Sequence, residues 1–508
     1  MEFAGLLRGP SGDTGDRSGA TTRADLQLEP VFGAVVQGRE EYDLLPIFRA
    51  PSGDLGVVEF RQAVFRDLER PAVRTAFEGF AGSLRSVRRS LALAQRLPVP
   101  YQGARWFLDA VREYVAAARR LSAALAAAEP RSRGLRELGE FLTEYLATAK
   151  FLRLAEESDR RGAAIAALRY TLRIEESRVT VGAFAGQAPF SAEVAATFAR
   201  FPSGARERGT RAPRERPEMD PVEEAVQARV ALLFPREFAE LAAFRDRERE
   251  FFDPTVARVD REIQFYLAWL DHVRRLTERG VPFCYPSLSE RSKEERVLDA
   301  VDLALVGTRA DPATTVVAND VAFHGAERIL VVTGPNNGGK TTYARMVGQL
   351  HYVAQLGAPV PAREASLLLV DRVLTHFERG EPTADLRGNL LDELVRVHEL
   401  LAVATDRSLL VLNETFGSAA LEDALFLGRE VLERIARRDA LAVFVTFLDE
   451  LAALGPATAS LGSVVSPEHP EARTYRFRRQ PATGQAYALA LAERHGLTYE
   501  ALRRRLPS

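Results

Sequence analysis

The sequence predicts a mainly α-helical region followed by an α/β domain built on a largely parallel sheet. Three observations predict it. Apolar residues recur at helical spacing through most of the chain before Val281. After that point short apolar runs alternate with amphipathic helices, the pattern of a parallel sheet covered by helices. One of those runs leads directly into a glycine-rich loop and then a helix.

The composition permits this organisation and narrows the function. At 508 residues the chain can hold two or three domains with sizeable cores. Apolar residues make up 46% and charged residues 27%, the balance of a soluble protein. No uninterrupted apolar stretch is long enough to span a bilayer, and the N-terminus lacks a basic-then-apolar signal pattern, so a cytoplasmic location without membrane contact is expected. Cys284 is the sole cysteine, which excludes an intrachain disulfide and a cysteine-built metal site. The formal charge of -2 excludes a uniformly basic coat, so nucleic-acid binding would need local basic patches. Lysine occurs only at Lys150, Lys293 and Lys340, and arginine supplies the rest of the 68 basic residues. A genome rich in G and C accounts for most of that bias. It still makes a lysine inside a phosphate-binding motif informative, because a compact ammonium fits where a planar guanidinium does not.

Taken in order, residues 1–28 hold Gly, Ser, Thr, Asp and Arg with few large apolar side chains and are expected to form a disordered tail. Residues 29–295 are expected to be mainly helical. From Trp106 to Leu125, the positions Phe107, Leu108, Val111, Tyr114 and Val115 make one apolar face, and Pro130 and Gly134 then punctuate the chain. A β-like patch runs from Ser177 to Phe184, with Val179 and Val181 alternating with Thr180 and Gly182. Pro202 to Pro221 is polar and proline-broken. It carries Arg206, Arg208, Arg211, Arg214 and Arg216, partly offset by Glu207, Glu215, Glu218 and Asp220. Composition alone reads this as a solvated loop, with contact to DNA phosphates as the functional alternative. Helical patterning resumes from Glu223 to Leu276, with Ile263, Tyr266, Leu267, Leu270 and Val273 on one stripe. Pro235 and Pro254 are expected to start or kink helices. Val281 to Pro286 reads as a linker, and residues 296–508 as the α/β domain.

The chemistry is concentrated in that domain. Ile329 to Thr333 reads as a buried strand and runs into Gly334-Pro335-Asn336-Asn337-Gly338-Gly339-Lys340-Thr341, a complete G-x-x-x-x-G-K-S/T motif. Gly334, Gly338 and Gly339 allow the backbone to turn its N–H groups toward phosphates. Lys340 can reach the β- and γ-phosphates of ATP, and the Thr341 hydroxyl can ligate Mg2+. The helix that follows favours an anion at its N-terminus. Leu409 to Leu412 forms a second buried strand that delivers Asn413 and Glu414 to its C-terminal edge, where open parallel sheets bind ligands. Glu414 is placed to orient and deprotonate an attacking water. Asn413 stands where an aspartate would usually help hold Mg2+. It supplies no negative charge, so weaker Mg2+ binding or slower hydrolysis is expected. Leu390, Leu394, Val397 and Leu401 mark one further helix, and Leu427, Val431, Leu432 and Ile435 another, which leads to the strand Leu441 to Thr446.

These residues resemble the MutS DNA mismatch-repair family. Val332 to Arg345, with its Thr-Gly-Pro-Asn lead and Thr342 after the motif, is similar to that family's phosphate loop. The similarity continues through Ala354 to Gly357, Val360 to Ala362, Asp371 to Thr375, Ser408 to Glu414 and Ala486 to Ala490. Asn319-Asp320 resembles the segment beside the nucleotide base. The resemblance implies an ABC-type P-loop ATPase domain at 296–508, preceded by a helical core and lever with a clamp around 175–222. It implies a homodimer using ATP and Mg2+, with levers that close on double-stranded DNA, whether mismatched, branched or non-specific, and nucleoid association when DNA is bound. It also makes Arg206 to Arg216 a clamp candidate.

The sequence departs from the family at four places. The mismatch-reading domain and its Gly-x-Phe-Tyr-Glu wedge are not matched, and Phe77-Glu78 lies in a helical context. Gly388-Asn389 stands where the family has a Ser-Thr pair that reaches across the dimer, so a trans phosphate contact would come from backbone N–H groups or the Asn389 amide. Phe447 replaces a histidine, which removes a γ-phosphate-sensing hydrogen bond. Asn413 replaces aspartate. These changes keep a second reading open, a nucleotide-switched dimeric scaffold with weak hydrolysis and no mismatch recognition. A transport ATPase is disfavoured, because the chain lacks a membrane span and a transporter would not use so long a helical arm.

Overall fold

The computed structural model describes residues 3–7, 19–97, 100–176, 178–187, 221–308, 316–378, 386–417, 419–465, 473–481 and 503. The chain forms an N-terminal helical region and a C-terminal α/β region with mixed sheets. By contact it divides into two units. The first takes Met1–Phe3, Pro71–Pro130 and Leu135–Asp260, and the second Ala4–Arg70, Arg131–Gly134 and Arg261–Ser508. The second unit therefore does not begin near residue 296. Segments remote in sequence complete it.

The first unit is a helical assembly. In helix Pro71–Arg96 the buried Val73, Phe77, Phe80, Leu84 and Val87 alternate steps of four and three, the spacing of a packing seam between long helices. Helix Pro100–Ala128 lies antiparallel to it. Arg120 donates to Ser83 Oγ at 3.0 Å, and Gly103 sits so close to Ala94 that a Cβ there would be 2.7 Å from the Ala94 carbonyl oxygen. Phe107, Leu108, Val111, Tyr114 and Val115 are all buried, as their spacing predicts. Tyr114 shares a hydrogen bond with Tyr145 at 2.7 Å and packs edge-on against Phe251. Burial raises both phenol pKa values.

The β-like patch is a strand, β2 (Arg178–Ala183), but it has a partner that periodicity did not reveal. β1 (Tyr170–Glu175) pairs with it antiparallel, with Leu172 opposite Val181 and Ile174 opposite Val179. β1 does alternate, with Tyr170, Leu172 and Ile174 between Thr171, Arg173 and Glu175, but both of its faces are largely exposed and the run is short. Helices Pro221–Leu233, Pro235–Arg247 and Pro254–Thr277 each begin at a proline. That residue has no N–H to lose in the first turn.

The second unit holds two sheets. One runs β12-β11-β6-β10-β9-β8, from β6 (Ile329–Thr333), β8 (Val373–Phe377), β9 (Leu409–Asn413), β10 (Leu441–Val445), β11 (Thr458–Val465) and β12 (Arg473–Arg479). All neighbours are parallel except β12, which closes one edge antiparallel to β11. β6, β9 and β10 are buried at every position. They read as unbroken apolar runs because helices cover a parallel sheet on both faces. Helices Leu386–Val403 and Leu421–Arg438 bury Val397, Leu401, Val431, Leu432 and Ile435 against one face. The smaller mixed sheet runs in the order β3 (Ser287–Ser289), β7 (Glu364–Leu368), β4 (Glu295–Ala300), β5 (Asn319–Phe323).

Two expectations are corrected here. Residues 19–28 are not part of a disordered tail. Gly19–Asp25 is helical, and Thr22, Arg23, Leu26 and Leu28 are buried. The reason is polar as much as apolar. Thr22 Oγ1 donates to Val373 O at 3.2 Å, Thr375 Oγ1 donates to Asp25 at 2.7 Å, and Leu26 packs on Gly348. Composition reported too few apolar groups for a core but could not report that strand β8 satisfies the polar ones. Residues 8–18 lie outside the described residues. The stretch Val281 to Pro286 is likewise not a free linker. Cys284 and Val360 exchange two backbone hydrogen bonds at 3.1 and 2.8 Å. Among the described residues, no helix is long and apolar enough to cross a membrane.

Candidate nucleotide-binding site

The parallel register builds the site. Val332 lies beside Val445, and Val445 beside Asn413, so the three strands end at one level. The segments that leave them are tied together by backbone bonds. Thr446 N–H donates to Val332 O at 3.1 Å, and Glu414 N–H to Val445 O at 3.0 Å. The glycine-rich loop after β6, Glu414 after β9 and Phe447 after β10 therefore meet at the carboxyl edge of the sheet. They line a cavity of about 1050 Å³ together with Asn319 and Tyr475.

Local conformation explains the loop's residues. Gly334 has φ +144° and Gly339 φ +93°, and a Cβ at Gly334 would come within 2.9 Å of Ser463 Cβ. Only glycine meets both conditions without strain. Asn336, Asn337, Gly338, Gly339, Thr341 and Thr342 line the cavity. Gly334 and Pro335 serve otherwise, since their carbonyls accept from Lys340 Nζ at 2.9 and 3.3 Å. Helix Lys340–Gln355 starts at the lysine, as the motif predicts.

Lys340 is nearly fully buried and stands 3.7 Å from Glu414 Oε1. Its ammonium also lies 4.0 Å from the centre of the Phe447 ring. Burial holds its pKa below the ordinary lysine value, Glu414 opposes that shift, and Arg473 adds to it. Phe447 is thus more than a missing histidine. Its half-exposed ring gives the lysine a cation–π partner.

Glu414 carries a left-handed backbone, φ +55°, which is uncommon for a side chain of this kind. Asn413 is buried, and its Oδ1 has no hydrogen-bond partner. A second carboxylate, which the sequence did not single out, stands beside this pair. Glu378 donates its N–H to Asn413 O at 3.4 Å, and burial, then the charge of Glu414, raises its pKa. Glu393 is raised in turn by burial and by Glu378.

Asn319 lines the cavity, yet its amide is occupied. Nδ2 donates to Tyr475 O at 2.9 Å, and Oδ1 accepts from Phe477 N–H at 2.8 Å. Tyr475 is a lining residue that sequence reasoning missed. No local pattern marks it, because it reaches the loop only through the pairing of β12 with β11.

Three groups of candidates fall wholly or partly outside the described residues. Gly388 and Asn389 fall in helix Leu386–Val403, but their side chains lie outside the described residues. Arg206, Arg208, Arg211, Arg214 and Arg216 lie outside them altogether, as do Ala486 to Ala490. Among the described residues, no three His, Cys, Asp or Glu side chains form a metal-holding group.

Comparison with known families bears on the same region. Residues 330–503 match the family model described as MutS domain V, and the match takes in the loop, Lys340, Glu414 and Phe447. Residues 330–503 are therefore similar to MutS domain V. In MutS-family proteins this domain is the ATPase and DNA-binding domain, ATP is used with Mg2+, and the proteins bind DNA as dimers. The matched segment begins at the second residue of β6 and lies wholly in the second unit.

Proposed function

We propose that the chain is an ATP-hydrolysing, DNA-binding protein of the MutS class, in which a P-loop ATPase domain drives opening and closing of a dimeric clamp. The observation that carries the reading is the pairing of Lys340 with Glu414, 3.7 Å apart, above a glycine-rich loop. A buried ammonium and a strand-end carboxylate lining one cavity match the two demands of phosphoryl transfer, charge neutralisation and water positioning.

In this reading the loop N–H groups hold the phosphates, and Lys340 leaves the Gly334 and Pro335 carbonyls to reach the β- and γ-oxygens. Glu414 accepts a proton from the attacking water as the water oxygen bonds to the γ-phosphorus. The bond from that phosphorus to the β,γ-bridging oxygen breaks, and ADP leaves with the electron pair. The residues present fit Mg2+. The orphaned Asn413 Oδ1 is a buried acceptor awaiting a partner, Thr341 lines the same cavity, and Mg2+ needs few protein ligands beside phosphate oxygens. Mg2+ bound there would neutralise charge on the β- and γ-phosphates.

Double-stranded DNA, a homodimer and nucleoid association belong to the same proposal, with Arg206 to Arg216 as the clamp contact and Gly388 and Asn389 as the trans phosphate contact. The alternative of a nucleotide-switched scaffold gains from Phe447, whose ring engages Lys340 where the family has a histidine. One experiment separates them, ATP turnover measured with homoduplex, mismatched and branched DNA. Turnover stimulated by DNA supports the clamp ATPase. ATP binding without turnover on any DNA supports the scaffold, and equal stimulation by all three removes mismatch recognition.

A further inference from the structure

We propose that the turn Glu414–Gly417 aims the Glu414 carboxylate, and that Thr415 and Phe416 are positioning residues that hold the turn. The proposal rests on the reading of Glu414 as the base and names what fixes that base in place. Glu414 is the first residue beyond β9, and its left-handed backbone, φ +55°, takes the chain off the strand line. Phe416 is left-handed as well, with φ +67°. A bulky side chain at positive φ is a genuine outlier, and such outliers persist only where their surroundings impose them.

Three restraints impose this conformation. The turn closes on itself, since Gly417 N–H donates to Glu414 O at 3.1 Å. A Cβ on Gly417 would lie 3.1 Å from that oxygen and 3.3 Å from Glu378 Oε2, so the close approach needs glycine. The Phe416 ring is 1% exposed and belongs to the same buried cluster as Leu410, Leu412 and Val431. Its N–H hydrogen-bonds to the Glu393 carboxylate on helix Leu386–Val403. Lastly, Thr415 Oγ1 and His376 Nδ1 share a hydrogen bond at 3.3 Å, with both side chains buried. His376 stands on β8 beside Leu412 of β9, so this bond fastens the turn to the neighbouring strand.

The three residues divide the work. Glu414 lines the cavity 3.7 Å from Lys340 Nζ, while Thr415 and Phe416 are buried and do not line it. Whatever those two contribute to the reaction therefore passes through Glu414. A base must stand within hydrogen-bond reach of the proton it takes. A misplacement of about 1 Å at such a group costs about a hundred-fold in rate. Releasing the turn should accordingly cost turnover and spare nucleotide binding, which belongs to the glycine-rich loop and Lys340.

The test is steady-state ATP turnover with Mg2+ on the full chain, with ATP affinity measured by calorimetry on the same samples. T415V keeps the shape and removes the hydroxyl. It should lower kcat about ten- to a hundred-fold and leave ATP affinity within about two-fold of wild type. T415S restores the hydroxyl and should recover most of the rate. H376L should match T415V, and the double variant should be no slower than T415V, because the two residues share one bond. F416A should slow turnover at least as much, and should F416A fail to fold, T415V still decides. Wild-type kcat in T415V, no recovery in T415S, or ATP affinity lost together with rate each overturns the proposal. E414Q tests the underlying reading separately. Wild-type turnover by E414Q removes Glu414 as the base and the proposal with it, whereas an inactive E414Q beside a fully active T415V overturns the positioning role alone. A wild type without turnover overturns both.

Discussion

Asp302 ties the candidate nucleotide cavity to the helix that follows the glycine-rich loop, and Asp302→Ala should be among the most damaging single changes in the second unit. The carboxylate is 1% exposed and lines the cavity. It accepts from Arg345 Nε at 2.5 Å, Gln349 Nε2 at 3.1 Å, and the N–H groups of Ala304 and Leu305 at 2.9 and 3.1 Å. Arg345 is itself only 11% exposed. Truncation leaves a buried guanidinium without its counter-charge and the first turn of helix Leu303–Thr308 without its acceptor. Breaking a buried pair in this way costs about 3–5 kcal/mol, a large part of the roughly 5–15 kcal/mol that stabilises a typical domain. Arg345→Met in the same chain should recover about half of the loss. It removes the uncompensated charge, while the two orphaned N–H groups still cost about 1–3 kcal/mol between them. The assay is urea unfolding followed by tryptophan emission in a Trp106→Phe background, so that the signal comes from Trp269, buried in the same unit. A loss below about 1 kcal/mol, or a double variant as unstable as the single, would refute the reasoning.

Other outcomes follow from the same geometry. His272 is buried with an unpartnered Nε2, and desolvation, then Arg275, lowers its pKa to about 4. Unfolding returns it to about 6.5. Its contribution is fully present above pH 6.5 and is lost as the pH falls toward 4, so stability should drop by about 2 kcal/mol between pH 7.5 and 5. That slope should shrink in His272→Gln, measured by denaturation at both pH values. Phe447→Ala removes the ring over Lys340 and should tighten ATP two- to five-fold by titration, the equivalent of about 0.5–1 kcal/mol for a half-exposed cation–π contact. Asn413→Asp should lower the Mg2+ concentration needed for half-maximal ATP binding by about ten-fold or more, as changes beside a metal site do. An unchanged Mg2+ requirement would contradict the assignment of that orphaned oxygen.

How much of this was legible depended on where the information lay. β6, its glycine-rich loop and the following helix were readable because one contiguous stretch supplies strand, turn and helix start. β9 and β10 were readable because burial on both faces leaves an unbroken apolar run. Long-range pairing was not readable. Thr22 and Asp25 look like tail residues until β8 provides their partners, and the short alternation of β1 gains meaning only from its pairing with β2. Phe447 was visible as a departure from a family pattern, but its position over Lys340 required coordinates. Tyr475 carried no signal at all, since it reaches the cavity from a strand edge bonded to an asparagine far upstream in the sequence.

The most direct test of the central claim is ATP turnover by wild type and Glu414→Gln, with nucleotide binding measured on the same samples. The account predicts Mg2+-dependent hydrolysis by wild type, with ATP still bound but no longer hydrolysed once Glu414 loses its charge. Equal turnover by the two proteins, or loss of binding together with turnover, would contradict it.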